Sequence, residues 1–324
     1  MSQTFCNISV TYQIKLKGSN TMKKPLILAV AAMTLAAGAQ AESKFYGKMN
    51  VSAGYDDLSE TFNLTDNASR LGVKGSEDLG SSKVIYQAEF SLKVDGSKDS
   101  LGARDTFIGL SYGDMGTVKM GIMDTPLKKS QGKFDLFNDV VDIKNVLLGE
   151  NRVANSINYT TAKMGAVQAS VSVLLTDDDN NANGGDGISA NLVYKQGDVY
   201  AAVAIDENVT PKTSSADKDI QTIRATAIYT MGDMRFGALI NNVDKTDTAD
   251  AELGFALNAS MKMGKNTAKV QFESGDQKAA GGTSLSAGVD HKLAKSTKAF
   301  AVLNQFDTDA VDMMSLVFGL EHKF

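Results

Sequence analysis

From Lys44 to Phe324 apolar side chains recur at nearly every second position, and this regularity limits the possible folds more than any other feature of the chain. Period-two alternation describes strands with one apolar and one polar face. Between Lys83 and Lys93, Val84, Tyr86, Ala88, Phe90 and Leu92 share a face, opposite Lys83, Ile85, Gln87, Glu89, Ser91 and Lys93. Residues 44–56 set Phe45, Met49, Val51, Ala53 and Tyr55 against Lys44, Lys48, Asn50, Ser52 and Asp56. Leu253, Phe255, Leu257, Ala259, Met261 and Met263 form one face of a later segment; Met314, Leu316, Phe318, Leu320 and Phe324 form one face of the last. No stretch after residue 41 reads as a long amphipathic helix, and no run reaches the roughly 18 apolar residues of a transmembrane helix.

Sixteen such segments are readable, near 44–56, 68–77, 83–94, 103–114, 115–124, 152–162, 165–175, 187–197, 198–207, 219–231, 232–243, 251–263, 265–275, 282–294, 295–306 and 312–324. Their connections alternate between short turns, such as Gly113–Gly116, Gln196–Asp198 and Met231–Asp233, and longer polar stretches, such as Asp57–Asn67, Pro126–Asn151 and Thr176–Asp186. Short turns at one end and long loops at the other describe an all-β, antiparallel, up-and-down transmembrane barrel. In lipid every backbone N–H and C=O needs a partner, and a closed barrel supplies them without leaving an edge. An apolar outside around a polar inside also explains 43% hydrophobic residues with a mean hydropathy of only -0.15. A β-sandwich alternates too, but favours fewer strands and similar turns at both ends. A solenoid needs a fixed repeat, which this chain lacks.

The first 41 residues read differently. Lys23 and Lys24, the apolar stretch Pro25 to Ala37 and the small-residue site Ala39-Gln40-Ala41 form the pattern of a secretory signal cleaved after Ala41. Residues 1–21 would make an implausibly long start to such a signal, so translation is expected to begin at Met22. The expected organisation is therefore residues 1–21 as a mis-assigned start, 22–41 as signal and 42–324 as barrel. Removing 1–41 takes away Cys6, four Lys and no acid, leaving 29 Lys and Arg against 38 Asp and Glu, or -9. A mature chain without cysteine has no disulfide to hold it together. Acidity at this level argues against a nucleic-acid partner.

Four stretches, in order and with matching spacing, resemble the trimeric general-diffusion porins of Gram-negative outer membranes, of the neisserial type. They are SRLGVKGSEDLG from Ser69, RDTFIGL from Arg104 with GTVKMG from Gly116, NRVANSINY from Asn151, and the terminal VFGLEHKF from Val317. The resemblance implies an outer-membrane homotrimer of sixteen-stranded barrels that passes small hydrophilic solutes and ions. It also implies a third external loop folded inwards as a constriction, here the long connection Asp124–Asn151. Phe134, Leu136, Phe137, Val140, Val141, Ile143, Val146 and Leu147 in that loop demand burial rather than water. Charge filtering is then expected between the loop acids Asp135, Asp139, Asp142 and Glu150 and the inward-parity wall cations Lys48, Arg70, Lys74, Lys119 and Arg152. Phe318, Leu320 and the terminal Phe324 resemble the signal by which the barrel assembly machinery recognises such chains. After Gly121 the family commonly carries Arg; Ile122 stands here, and with the charge of -9 this leans the expected selectivity towards cations. Tyr46, Tyr55, Tyr86, Tyr112, Tyr159, Tyr194 and Tyr229 are expected to supply the interfacial girdles.

Other chemistries find little support. Asp179-Asn-Asn-Ala-Asn-Gly184 opens like a calcium loop, but its twelfth position is Ala190, where a bidentate Glu is needed. An outer-membrane protease or phospholipase needs a His among acids or Ser on the wall, and His291 and His322 lie at outward parity near short turns. No enzyme activity, cofactor or metal is expected. The competing readings are a barrel used mainly for binding or adhesion, and a substrate-selective channel.

Overall fold

The computed structural model describes residues 41–96, 101–175, 187–209, 220–245, 250–277 and 281–324. All of the expected signal but Ala41, and the calcium-like run at 179–184, lie outside these described residues. The first strands are β1 (Ala41–Asp56), β2 (Thr61–Asp66), β3 (Arg70–Asp78), β4 (Lys83–Leu92), β5 (Leu101–Ser111) and β6 (Thr117–Asp124). A one-turn helix α1 (Pro126–Ser130) opens the long loop that leads to β7 (Arg152–Thr160). Then come β8 (Val167–Leu174), β9 (Ile188–Gln196), β10 (Val199–Glu207), β11 (Ile220–Met231) and β12 (Met234–Lys245). The last are β13 (Glu252–Met263), β14 (Asn266–Gly275), β15 (Thr283–Ala294), β16 (Thr297–Asp307) and β17 (Asp312–Lys323).

Successive strand positions pair antiparallel around the sheet, and β17 returns to β1, with Lys48 opposite Lys323 and Asp56 opposite Ser315. The sheet closes into a barrel. Its seventeen described segments occupy sixteen positions, because β2 and β3 share one. The upper half of β1 pairs with β2 and the lower half with β3. Residues 57–67, expected to be a loop, thus contain a strand. Phe62 and Leu64 alternate with Thr61, Asn63 and Thr65, and pair with Tyr55 and Ala53. The break between the two pieces is held by Asp66, whose carboxylate accepts from the Ser69 amide, and by Asn67, which donates to Ser52 at 2.9 Å.

Parity decides inside from outside. Along β11, Ile223, Ala225, Ala227 and Tyr229 face out, while Thr222, Arg224, Thr226 and Ile228 are buried towards the axis. On β13, Leu253, Phe255 and Leu257 are exposed on the outer face and Asn258 is buried within. Exposed leucines are ordinary here because this face meets hydrocarbon, whereas the polar face lines water. Apart from β1 with sixteen residues and the short β2 with six, the strands run eight to twelve residues and, tilted, are long enough to cross. Tyr46 is the exception among the nominated girdle residues. It shares the parity of Lys44 and Lys48, points inwards and donates its hydroxyl to Glu89 Oε2 at 2.9 Å.

The closing seam depends on a residue without a side chain. Gly47 and Phe324 exchange main-chain hydrogen bonds of 3.0 and 3.1 Å, and the Phe324 ring lies over Gly47 and 6.0 Å from the ring of Phe45. A Cβ at Gly47 would enter that ring and fall 2.9 Å from the Arg70 carbonyl oxygen. Gly47→Val is therefore expected to destabilise closure by about 1–3 kcal/mol. The heat-modifiable mobility shift of the folded barrel should move to lower temperature; an unchanged transition would refute this account of the seam.

Candidate functional site

The loop between β6 and β7 folds into the barrel, and chemistry on both sides holds it there. Thr125 caps α1 by accepting from the Lys128 amide, and Pro126 begins the helix where its missing N–H costs nothing. Beyond the helix, Phe134, Ile143, Val146 and Leu147 pack against Ile228, Leu239 and Ala256 of the inner wall. Phe137 and Val141 pack against Phe300 and Val302. At these places the wall abandons its polar interior, so the loop meets apolar surface and excludes water from both.

Polar anchors fix the register. Leu136 N–H donates to Gln271 Oε1 at 2.9 Å, and Asn258 donates to the Phe134 carbonyl at 2.6 Å. The far arm is tied by Arg224, which is fully buried. It donates to Glu150 Oε1 at 2.6 Å, to the Leu148 carbonyl at 2.8 Å and to Asn241 Oδ1 at 3.1 Å. Gln277 accepts from the Leu148 amide at 3.0 Å and from Asn241 at 2.9 Å, completing the clamp.

The four loop acids have different surroundings. Asp139 alone meets the nominated wall cations: it contacts Lys48 directly and lies 3.5 Å from Arg70 Nη1. It does so in the left-handed region, φ 72°, a backbone cost that a site tolerates only when its neighbours hold it. Burial opposes its ionisation, but Lys48, Arg70 and Arg104 outweigh burial and hold the carboxyl below its usual range. Among the described residues Asp135 faces no cation within ion-pair distance; it accepts from the amides of Phe137 and Ile143 and from Gln271 Nε2 at 3.0 Å. Burial, reinforced by Asp142, pushes its carboxyl up to about 7. Asp142 caps its own turn and pairs with Lys144 at 3.1 Å. Glu150 is an anchor bound to Arg224 and Gln131 rather than an acid facing an open gap, and burial pushes its carboxyl up against the pull of Arg224.

On the wall, Arg152 binds Asp105 at 2.6 Å and Asp124 at 2.9 Å. A bulge makes this possible. Between Ala103 and Thr106, β5 carries one residue more than β4, so the consecutive Arg104 and Asp105 both reach the lumen. Arg104 takes Glu89 at 2.7 Å while Asp105 takes Arg152. Lys74 and Lys119 lie inside as expected, but rest on aromatic rings rather than facing loop acids. Ile122 leaves the wall without a cation at its position, and Arg104 supplies one nearby. Sequence reading passed over Arg224, Arg104, Asn241, Gln271, Glu273 and Gln277. Arg224, Asn241, Gln271 and Glu273 carried the signal of inward parity within recognised strands; Arg104 reaches the lumen through the β5 bulge, and Gln277, in the loop after β14, carried no such signal.

What remains open between loop and wall is an aqueous cavity of about 1210 Å³. Among the described residues its lining holds twelve Lys and Arg against eight Asp and Glu. The overall acidity of the chain therefore does not describe its interior, and the lean towards cations loses its basis. Phe318, Leu320 and Phe324 are half exposed on the outer face of the seam. His291 and His322 lie exposed at the short-turn rim, bonded to Asn266 and Thr297.

Comparison with known proteins agrees with this architecture. The sequence profile of a family described as Gram-negative porin matches residues 28–311. The chain is similar to the major outer membrane protein P.IB of Neisseria gonorrhoeae, 30% identical over 202 residues, covering 56% of each chain. It is equally similar to P.IB of Neisseria meningitidis strain H44/76, 30% identical over 200 residues, covering 55% of this chain and 57% of that one. The matched stretch thus spans little more than half the length of these curated relatives. In fold it is similar to the anion-selective porin from Comamonas acidovorans, with a TM-score of 0.75 at 20% identity, covering 88% of this chain and all of that one. It is similar also to Salmonella typhi OmpF in complex with daunomycin, TM-score 0.74 at 13% identity, covering 87% and 97%.

Proposed function

Because the chain belongs to the Gram-negative porin family, and so to the outer membrane, we propose that it is a passive diffusion channel for small hydrophilic solutes and ions. The observation that carries this reading is the water-accessible lumen, narrowed by a loop that is pinned on two sides and lined by charge. No observation among the described residues favours a barrel used chiefly for adhesion. The filter is set by the charge left on the lining. Asp139 on the loop is neutralised by direct contact with Lys48 and by Arg70, and a low-dielectric surround focuses the field of the remaining lining charges into the lumen. With cations in excess on the lining and Asp135 partly protonated near neutrality, anions are favoured. We further propose that the leader is removed after Ala41, that Phe318, Leu320 and Phe324 direct assembly, and that three barrels associate.

Planar-bilayer recording tests the reading. Folded protein should give conductance steps with three-level substructure, and a salt gradient should give a reversal potential on the anion side. A silent bilayer would remove the channel, and a cation-side potential would remove the charge argument alone.

A further inference from the structure

The constriction leaves three lysines of the inner wall unused. Lys44, Lys74 and Lys119 share a cavity of about 650 Å³ with Glu42, Gln87 and Phe107. Lys74 pairs across the sheet with Lys44 and Gln87, and Gln87 with Phe107, so the row runs along one level of the wall. That level lies towards the short turns, since Lys74 precedes the end of β3 by four residues and Lys119 follows the start of β6 by two. Among the described residues none of the three lysines has a carboxylate within 4.0 Å.

Aromatic faces hold two of them. Lys74 Nζ lies 5.0 Å from the centre of the Tyr46 ring, and Lys119 Nζ 5.0 Å from that of Phe107. A ring face steadies an ammonium without cancelling its charge, as a carboxylate would. Two missing side chains make the seats. A Cβ at Gly72 would fall 2.7 Å from Tyr46 Cζ, and one at Gly109 would fall 3.0 Å from Lys119 Cγ. Tyr46 is fixed further by its bond to Glu89. From the loop, Lys129 on the exposed side of α1 is the charged group that acts most strongly on Lys119. The acids in reach are Glu42, on the cavity wall, and Asp105, already taken by Arg152.

We infer that Lys74 and Lys119, backed by Lys44 and Lys129, form a docking station for small oxyanions of the phosphate and carboxylate type on the short-turn side of the constriction. The inference deepens the channel reading, which supplies the route by which such anions arrive. Binding itself needs no conduction, and so is measured apart from it. Inorganic phosphate is the probe. Titrated into the detergent-solubilised full chain, it should show saturable broadening of its phosphorus resonance. In bilayers it should block chloride current saturably. Succinate in its place separates carboxylate from phosphate recognition.

Lys74→Gln with Lys119→Gln should weaken broadening and block at least fivefold. Lys119→Arg, which keeps the charge, should retain both, and Lys163→Gln on an exposed turn should change nothing. Broadening that persists in protein that does not conduct would support the station while the channel reading falls. Unsaturable broadening in the wild type, or an unaltered response in the double variant, would overturn the station even if the channel conducts.

Discussion

Arg224→Ala is expected to free the far arm of the constriction loop, raising single-channel conductance and its fluctuation. Arg224 is fully buried and satisfies three acceptors at once, the Glu150 carboxylate, the Leu148 carbonyl and the Asn241 amide oxygen. Among the described residues, removing it leaves the Glu150 carboxylate buried with Gln131 as its hydrogen-bond partner and Lys128 as the largest remaining attraction. Breaking a buried pair from one side typically costs about 3–5 kcal/mol. The loop can escape most of that cost by lifting Glu150 into the lumen water, so the cost appears as undocking rather than unfolding. A spin label at Asn145→Cys, on the exposed edge of the loop, should become mobile in the same variant. Arg224→Met with Glu150→Gln removes both charges and should recover much of the wild-type immobility. A label as immobile in Arg224→Ala as in the wild type, with unchanged conductance, would show that the clamp is not what holds the arm.

The second large effect is a dependence on pH centred on Asp135. Its carboxyl titrates near 7 in the docked loop, against about 3.9 for a free Asp. Its neighbours explain why. Gln271 Nε2 is shared between Asp135 at 3.0 Å and Glu273 at 2.7 Å, and the second oxygen of Glu273 is buried without a partner. The cation in reach, Lys269, is engaged by Asp290 at 2.9 Å and by the Leu136 carbonyl at 2.9 Å. Asp142 adds repulsion, and Lys144 binds it from the solvent side.

Between these two pH values the docked loop holds a proton that the released loop does not. Docking is therefore strongest below about pH 4 and weakens as pH rises to about 7, where the Asp135 contribution is spent. A full three-unit difference corresponds to about 4 kcal/mol, and water in the lumen lowers this towards about 2. The Asn145→Cys label should show a mobile fraction that grows from pH 4.5 to 7.5, and Asp135→Asn should flatten the curve. A mobile fraction that falls over that range would reverse the assignment.

Much of the barrel was legible because parity is a local property. Whether Leu257 faces lipid or Asn258 faces water follows from their places in one strand, and all sixteen expected segments coincide with strands along the chain. The one near 68–77, β3, is the lower half of a position whose upper half, β2, read as loop because Asn67 and Asp66 interrupt the alternation. The loop's need for burial was also legible, from Phe134, Phe137, Ile143 and Leu147.

Its receiving surface was less so. Ile228, Leu239, Ala256, Phe300 and Val302 are apolar at inward parity, and a chain read one strand at a time shows them only as lapses in alternation. The charge partners were harder still. Asp135, Asp139, Asp142 and Glu150 look equivalent in sequence, but one meets Lys48 and Arg70, one meets Arg224, one caps its own turn and one meets no cation. Such differences depend on which strands come opposite each other across the lumen, with partners 69 to 91 residues apart for Asp139 and Glu150. A residue's own alternation decides whether it faces lipid or water. Only closure of the barrel decides which charge it faces, because that depends on the distance across the lumen and not along the chain.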